Sequence, residues 1–189
     1  MTNSYLDFFF RLRLPILVFV ALGSFAVTYF LTRPERENVG YTPDQPIAFS
    51  HKLHAGDMKI DCKYCHTGVE KTRFAGIPSA SVCMNCHKIA RVDKPEIIKL
   101  KEYYEQGKPI PWKRIHKVPD YAFFNHSAHV SKGIECASCH GNVEVMEKVG
   151  QVNTFTMGAC LDCHRNAPQK LTYLKNVKKG PEDCWACHR

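Results

Sequence analysis

The sequence predicts a chain in two parts, a transmembrane anchor at residues 1–35 and a mostly α-helical and irregular domain with little or no β-structure at residues 36–189. The longest apolar run of the 189-residue chain lies within its first 31 residues. The remainder is polar, rich in lysine and interrupted by proline and glycine, so its side chains supply only a thin hydrophobic core. The ten cysteines all recur in pairs of one spacing, which predicts that a bound group helps to fill the interior.

The anchor prediction rests on the uncharged run from Leu14 to Leu31. Eighteen such residues are near the lower limit for crossing the hydrocarbon layer as a helix. Arg11 and Arg13 precede the run and favour a cytoplasmic N-terminus, while Pro15 falls in the first helical turn, where proline is tolerated. A cleaved signal peptide is the alternative, but no clear cleavage site follows the run. We therefore expect a single-pass protein of the bacterial cytoplasmic (inner) membrane with its second part on the periplasmic side.

Each cysteine pair has the form Cys-x-x-Cys and is followed at once by a histidine. This is the attachment sequence of c-type haem, in which two thiols bond covalently to the macrocycle and the histidine becomes the proximal iron ligand. The sequence therefore predicts five covalent haem c groups. The attachment residues are Cys62, Cys65, Cys83, Cys86, Cys136, Cys139, Cys160, Cys163, Cys184 and Cys187, and the proximal ligands are His66, His87, His140, His164 and His188.

Zinc sites, disulfides and dithiol redox centres are the alternatives for a lone Cys-x-x-Cys. None of them requires a histidine in the next position, which is filled five times out of five here. The formal charge of +8 is offset by the haem propionates, about ten negative charges for five haems. The basic composition is therefore weak evidence for a nucleic-acid partner, and we expect none.

The second part of the chain contains an internal duplication. "FSHKLH" from Phe49 and "FNHSAH" from Phe124 both read Phe-x-His-x-x-His, and each precedes two haem motifs. We therefore predict two dihaem modules, at about residues 48–90 and 123–166, with a fifth haem at 184–188. Between the modules, the pattern predicts a helix from Pro95 to Tyr104 and then a proline-rich extended connector.

Five histidines lie outside the motifs, which equals the number of distal iron positions. Haem iron with two histidine ligands is suited to electron transfer and has no open site for a substrate, so no catalytic residue is predicted. The least secure ligand is His116, which stands alone in the connector, and Met157 or Met146 is the alternative. The predicted distal ligands are His51, His54, His116, His126 and His129.

Within each Phe-x-His-x-x-His segment, the two histidines are three residues apart and lie on one face of a helix. They cannot both bind the iron whose other position is taken by the following motif histidine. We therefore expect each pair to serve two different haems and to hold them close together.

The Phe-x-His-x-x-His segment followed by Cys-x-x-Cys-His resembles the cytochrome c3 and c7 family over both modules. In that family the first histidine of the pair binds the haem of the next motif, and the second binds a different haem. The resemblance implies the ligand pairs His51 with His66, His126 with His140, His54 with His87, and His129 with His164, leaving His116 for His188.

The whole chain resembles the pentahaem cytochrome subunit of bacterial alternative complex III, on the strength of the anchor, the five motifs and the stretches "PWKRIHKVPDYAFFNHSAH" and "TMGACLDCHR". This resemblance implies an electron-transfer subunit of a quinol-oxidising respiratory complex. Its expected partners are an iron–sulfur subunit, polytopic quinol-binding subunits and a monohaem cytochrome c. The alternatives are a stand-alone membrane-anchored quinol dehydrogenase of the NapC/NrfH type and a nitrite- or hydroxylamine-type enzyme with a five-coordinate haem.

Overall fold

The computed structural model describes residues 8–31 and 38–189, which fall into two units, one within Met1–Arg36 and one within Glu37–Arg189. The predicted boundary between anchor and haem domain, at residues 35 and 36, lies outside the described residues.

The first unit is an α-helix, α1 (Leu14–Leu31), preceded by a π-helical stretch, Phe9–Arg13. Together they form 23 helical residues, within which an 18-residue window has a mean hydropathy of 2.2 and is not buried against protein. At about 1.5 Å per residue, this length matches the hydrocarbon thickness of a bilayer. The predicted apolar helix is therefore present, and its length and composition permit it to cross a membrane.

The second unit consists of short helices joined by irregular chain. Two non-α helices are the π-helical stretch Lys52–Asp57 and the 3-10 turn Val143–Val145. The α-helices are α2 (Cys62–Cys65), α3 (Ala80–His87), α4 (Pro95–Glu105), α5 (His126–Val130), α6 (Ala137–His140), α7 (Met157–Arg165), α8 (Ala167–Lys170) and α9 (Cys184–Cys187).

Residues 8–31 and 38–189 contain no β-strand, as expected. The one extended contact is an isolated parallel bridge between Val39 and Gln151. Gln151 is the most buried polar side chain described, and its Oε1 accepts a hydrogen bond from the Lys117 backbone at 2.8 Å. This buried amide ties the connector to the second module.

The hydrophobic core is small. Its main cluster packs α3 and α4 together through Ile47, Met84, Leu100 and Ile110. The helix predicted at Pro95–Tyr104 is confirmed and ends one residue later, with Pro95 in its first turn, where the missing N–H costs nothing. A core this thin fits a domain whose interior is completed by covalently attached groups.

The π-helical stretch Lys52–Asp57 of the first predicted module packs against residues 144–147 of the second. The Lys52 N–H donates to the Met146 carbonyl oxygen at 3.0 Å, and the Ser50 hydroxyl donates to the Glu147 carboxylate at 2.7 Å. A Cβ atom on Gly56 would overlap the backbone carbonyl of Glu144. The glycine therefore permits the close approach of the two backbones.

Replacing Gly56 with alanine is expected to lower stability by about 1–3 kcal/mol, because the clash is with backbone and not with a flexible side chain. Thermal unfolding of the holoprotein, followed by far-UV circular dichroism, measures the change. Gly158→Ala is the matched control, since its Cβ would meet only the Thr156 hydroxyl oxygen, at 4.0 Å. Equal midpoints for the two variants would contradict this account of the contact.

Candidate haem centres

All five Cys-x-x-Cys segments form a helical turn. Cysteines three residues apart on a helix project from the same face, so both thiols can reach one macrocycle. Side-chain caps begin several of these turns: Asp61 accepts from the Lys63 N–H, and Asp183 accepts from the Ala186 N–H. Each cap satisfies an otherwise unpaired backbone donor, so a turn of only four residues keeps its geometry.

Seven of the ten histidines place ring Nδ1 within 2.6–3.0 Å of a backbone carbonyl oxygen. A ring that donates its Nδ1–H in this way presents the lone pair of Nε2 to a metal and is held in orientation. These rings, with their acceptors, are His54 with Ser50, His66 with Gly76, His87 with Ala90, His126 with Arg73, His129 with Asn125, His164 with Pro181, and His188 with Tyr121.

Three pairs of histidine rings have nearly equal ring-centre separations. Metal–nitrogen bonds of about 2 Å on opposite sides of one ion would separate two imidazole centres by about 6 Å. These separations leave room for one metal ion between the rings. The ring-centre distances are 6.2 Å for His54 and His87, 6.4 Å for His126 and His140, and 6.1 Å for His129 and His164.

The donor set fits haem c. Each described cysteine pair lies on a helical turn, most histidines present Nε2, and three ring pairs have the separation that bis-histidine ligation requires. The iron of haem c, when bound, accepts and releases one electron. The residues here attach the group and orient the ligands on either side of it.

The phenylalanine of each Phe-x-His-x-x-His segment contacts both histidines in the same way. The Phe49 ring stacks on His54 at 4.4 Å and meets the edge of His51 at 4.8 Å. The corresponding distances in the second segment, where Phe124 contacts His129 and His126, are 4.7 and 4.8 Å. The duplication is therefore preserved in three dimensions, although the first segment is π-helical and the second α-helical.

His51 is half-buried. Burial, and to a smaller extent the charges of His66, His54 and His116, lower its pKa to about 4. Its buried Nδ1 has no hydrogen-bond partner. The low pKa keeps the imidazole neutral, which is the form that binds a metal.

His116 contacts a motif histidine of the second module. Its ring centre is 4.4 Å from that of His140, and its buried Nε2 has no hydrogen-bond partner. His188 instead stacks on Tyr121 at 5.9 Å and donates to the Tyr121 carbonyl oxygen. A separation of 4.4 Å is too short for His116 and His140 to share an iron. The connector is anchored near the second module through Gln151, which accounts for this placement.

The two methionines considered as alternative ligands have different surroundings. Met157 begins α7, and 61% of it is exposed. Met146 follows the 3-10 turn, and its carbonyl oxygen accepts the Lys52 N–H.

Arg73 is a residue that the sequence patterns did not single out. Its guanidinium lies over the rings of Phe74 and Phe123, at 4.9 and 4.8 Å, and its buried Nε has no hydrogen-bond partner. Its carbonyl oxygen accepts the Nδ1–H of His126. No motif marks an orienting backbone carbonyl, because any residue type can supply it.

Gly180 packs directly on a proximal histidine. A Cβ at this position would lie 2.6 Å from the Cγ of His164, whose Nδ1 is held by the Pro181 carbonyl oxygen. Gly180→Ala is therefore expected to tilt the ring and to lower stability by about 1–3 kcal/mol. Redox titration should show a changed potential for one haem, whereas Gly158→Ala should leave every potential unchanged. An unchanged titration for Gly180→Ala would show that the ring tolerates the added methyl group.

The comparisons with known proteins agree with this site. Residues 122–189 match the model of cytochrome c7 and related cytochrome c, and residues 28–109 match that of the class III cytochrome c family. The multihaem cytochrome c subunit of menaquinone reductase from Nitratidesulfovibrio vulgaris (strain Hildenborough) is 32% identical in an alignment of 167 residues that covers 77% of each chain.

The c7 match includes the fifth motif together with the second duplicated segment. The helical turns, the facing histidines and the absence of a sheet from the described residues agree with these matches. The chain belongs to the family of multihaem c-type cytochromes, related to cytochromes c3 and c7, that includes this menaquinone reductase subunit, and it carries covalently bound haem c.

Proposed function

We propose that the chain is a pentahaem electron-transfer subunit of a membrane-bound respiratory complex that exchanges electrons with quinone. The observation that supports the proposal is the separation of three pairs of histidine rings by 6.1–6.4 Å, which would allow both rings of each pair to bind one haem iron. A site closed in this way transfers electrons and does not bind substrate. The named role of the menaquinone reductase relative supports quinone as the redox partner.

The ligand assignment that we propose keeps four of the pairs implied by the family resemblance. His54, His126 and His129 face His87, His140 and His164, and the buried His51 serves the His66 site. His116 stays a candidate ligand, but its contact with His140 removes the support for pairing it with His188. The sixth ligand at the His188 site is left to His116, Met157 or Met146, as in the sequence prediction.

The apolar helix Phe9–Leu31 supports attachment to the bacterial cytoplasmic membrane, with the haem-binding unit on the periplasmic side. A single helix cannot enclose a quinone in the bilayer, so other subunits must supply that site. We propose partners of the alternative complex III type: an iron–sulfur subunit, polytopic quinol-binding subunits and a monohaem cytochrome c. The direction proposed is quinol oxidation.

The relative's name favours a second direction, in which electrons pass through the chain to menaquinone. Purification of the tagged full-length chain from detergent-solubilised membranes tests both. Co-purification with membrane subunits, and reduction of the haems by added menaquinol in that complex, would support quinol oxidation. Haems that are reduced only by an artificial donor and are reoxidised by menaquinone would support quinone reduction.

The same preparation tests the stand-alone alternative. The chain purified without partners is expected to leave menaquinol unoxidised and to give only low-spin ferric signals in electron paramagnetic resonance. Quinol turnover by the isolated chain would overturn the relay proposal in favour of a NapC/NrfH-type dehydrogenase. A large high-spin signal would favour an enzyme with an open iron site.

A further inference from the structure

The two attachment sites of the first module, those of His66 and His87, are neighbours. The ring centres of His54 and His87 are 6.2 Å apart, and His51 lies three residues before His54 in the same Phe-x-His-x-x-His segment. The Asn85 amide also donates to the Tyr64 hydroxyl at 3.1 Å, which joins the two motifs directly. The sites of His66 and His87 therefore share one supporting segment.

The second duplicated segment repeats this arrangement. Helix α5 presents His126 to His140 and His129 to His164, at ring-centre distances of 6.4 and 6.1 Å. The sites of His140 and His164 are therefore neighbours as well, held by one helix of five residues.

One loop contacts the first attachment site of each module, the sites of His66 and His140. Within residues 66–76, the Gly76 carbonyl oxygen accepts the Nδ1–H of His66 at 2.7 Å, and the Arg73 carbonyl oxygen accepts that of His126 at 2.9 Å. The loop also binds the start of α5, since the Ser127 N–H donates to the Thr72 carbonyl oxygen. These eleven residues thus orient one histidine ring of each module, His66 in the first and His126 in the second.

The last site adjoins the fourth. The segment that leads to Cys184 lies on His164, because the Gly180 N–H donates to the His164 carbonyl oxygen at 2.9 Å and the His164 ring donates to Pro181 at 2.6 Å. The final motif therefore continues from the fourth site.

We propose that the five attachment sites form one line in the order His87, His66, His140, His164, His188. The first sites of the two modules, those of His66 and His140, meet at the loop 66–76. This order differs from the order along the chain only in the first module, whose second site, that of His87, becomes an end of the line. The inference rests on the proposed relay function and specifies its path. The ends, where electrons enter or leave, are the His87 and His188 sites.

The course of the connector explains how the chain leaves one end and returns to the middle. After His87, α4 packs back onto α3 through Leu100 and Met84. The extended stretch that follows brings His116 to within 4.4 Å of the His140 ring. The chain therefore runs from the His87 end to the centre of the line.

Iron positions in the full-length holoprotein test the order directly. They can be located by anomalous scattering at the iron edge or in a high-resolution electron cryo-microscopy map. We expect the iron bound by His66 to lie between those bound by His87 and His140. An iron bound by His87 that lies nearer to the His140 iron than the His66 iron does would overturn the order, whatever quinone or partner the protein uses.

A photoreduction experiment tests the path in solution. Lys88→Cys and Lys71→Cys offer free thiols for a ruthenium label, because the native cysteines are bonded to haem; Lys88 adjoins His87, and Lys71 lies in the junction loop. Both labelled variants also carry His126→Met, because a methionine ligand raises the reduction potential of the His140 site and alters its spectrum. The His140 site is then the reporter for the arriving electron. We expect electrons to reach the reporter sooner from position 71 than from 88. Faster arrival from position 88 would overturn the order.

Discussion

Replacing His126 with alanine is expected to convert one haem from low-spin to high-spin. The His126 and His140 rings are nearly parallel, with an interplanar angle of 2°, and their centres are 6.4 Å apart. Alanine removes one of the two nitrogens and opens a coordination position on the proposed His140 site. Electron paramagnetic resonance of the oxidised protein should gain a high-spin ferric signal, and the reduced protein should bind one carbon monoxide per chain.

Phe155→Leu is the control for this experiment, because Phe155 packs 6.2 Å from the same His140 ring but has no group that binds iron. It should remain entirely low-spin and should not bind carbon monoxide. A fully low-spin spectrum for His126→Ala would mean that another group is the sixth ligand of this site. His116, at 4.4 Å from His140, is the group that such a result would then implicate through local rearrangement.

Replacing residues 1–35 with a cleavable export signal is expected to release the haem-binding part from the membrane. The helix that would be lost, Phe9–Leu31, is apolar and exposed along its whole described length, whereas residues within Glu37–Arg189 form a unit of their own. Apolar surface of this extent has no stable position in water and partitions into a bilayer. Fractionation of cells, followed by haem staining, should find the truncated protein in the soluble periplasmic fraction.

The full-length protein, expressed from the same export route, is the control and should remain with the membranes until detergent is added. Haem content per chain should be equal in the two proteins, because all five motifs lie after residue 61. A truncated protein that stays with the membranes and resists a salt wash would contradict the role of this helix as the anchor. Release by salt alone would indicate attachment through partner subunits.

The parts of the fold that the sequence predicted well are those that depend on neighbouring residues. The helix from Pro95 was predictable from its first-turn proline and from the apolar side that includes Ile97 and Leu100. The small core was predictable for the same reason, since too few apolar residues follow residue 40 to build a larger one. The π-helical form of Lys52–Asp57 was not predictable, because the contact of Gly56 with Glu144 lies between distant parts of the chain.

The histidines divide in the same way. Spacing alone predicted that His126 and His129 would serve different sites, and their separate partners His140 and His164 agree with it. His116 has no such local signal, and counting ligands assigned it by elimination. Its contact with His140 follows from the path of the connector, which depends on packing against the buried Gln151.

The sequence by itself determined the chemistry of this protein: covalent haem attachment and the apolar N-terminal helix are encoded by residues within a few positions of one another. The tertiary structure decided which histidines face each other and the proposed order of the sites. His66 and His126 are held by one loop, yet they are 60 positions apart. Thioether bonds need only a local motif, whereas an iron between two rings requires two distant segments to meet at one separation.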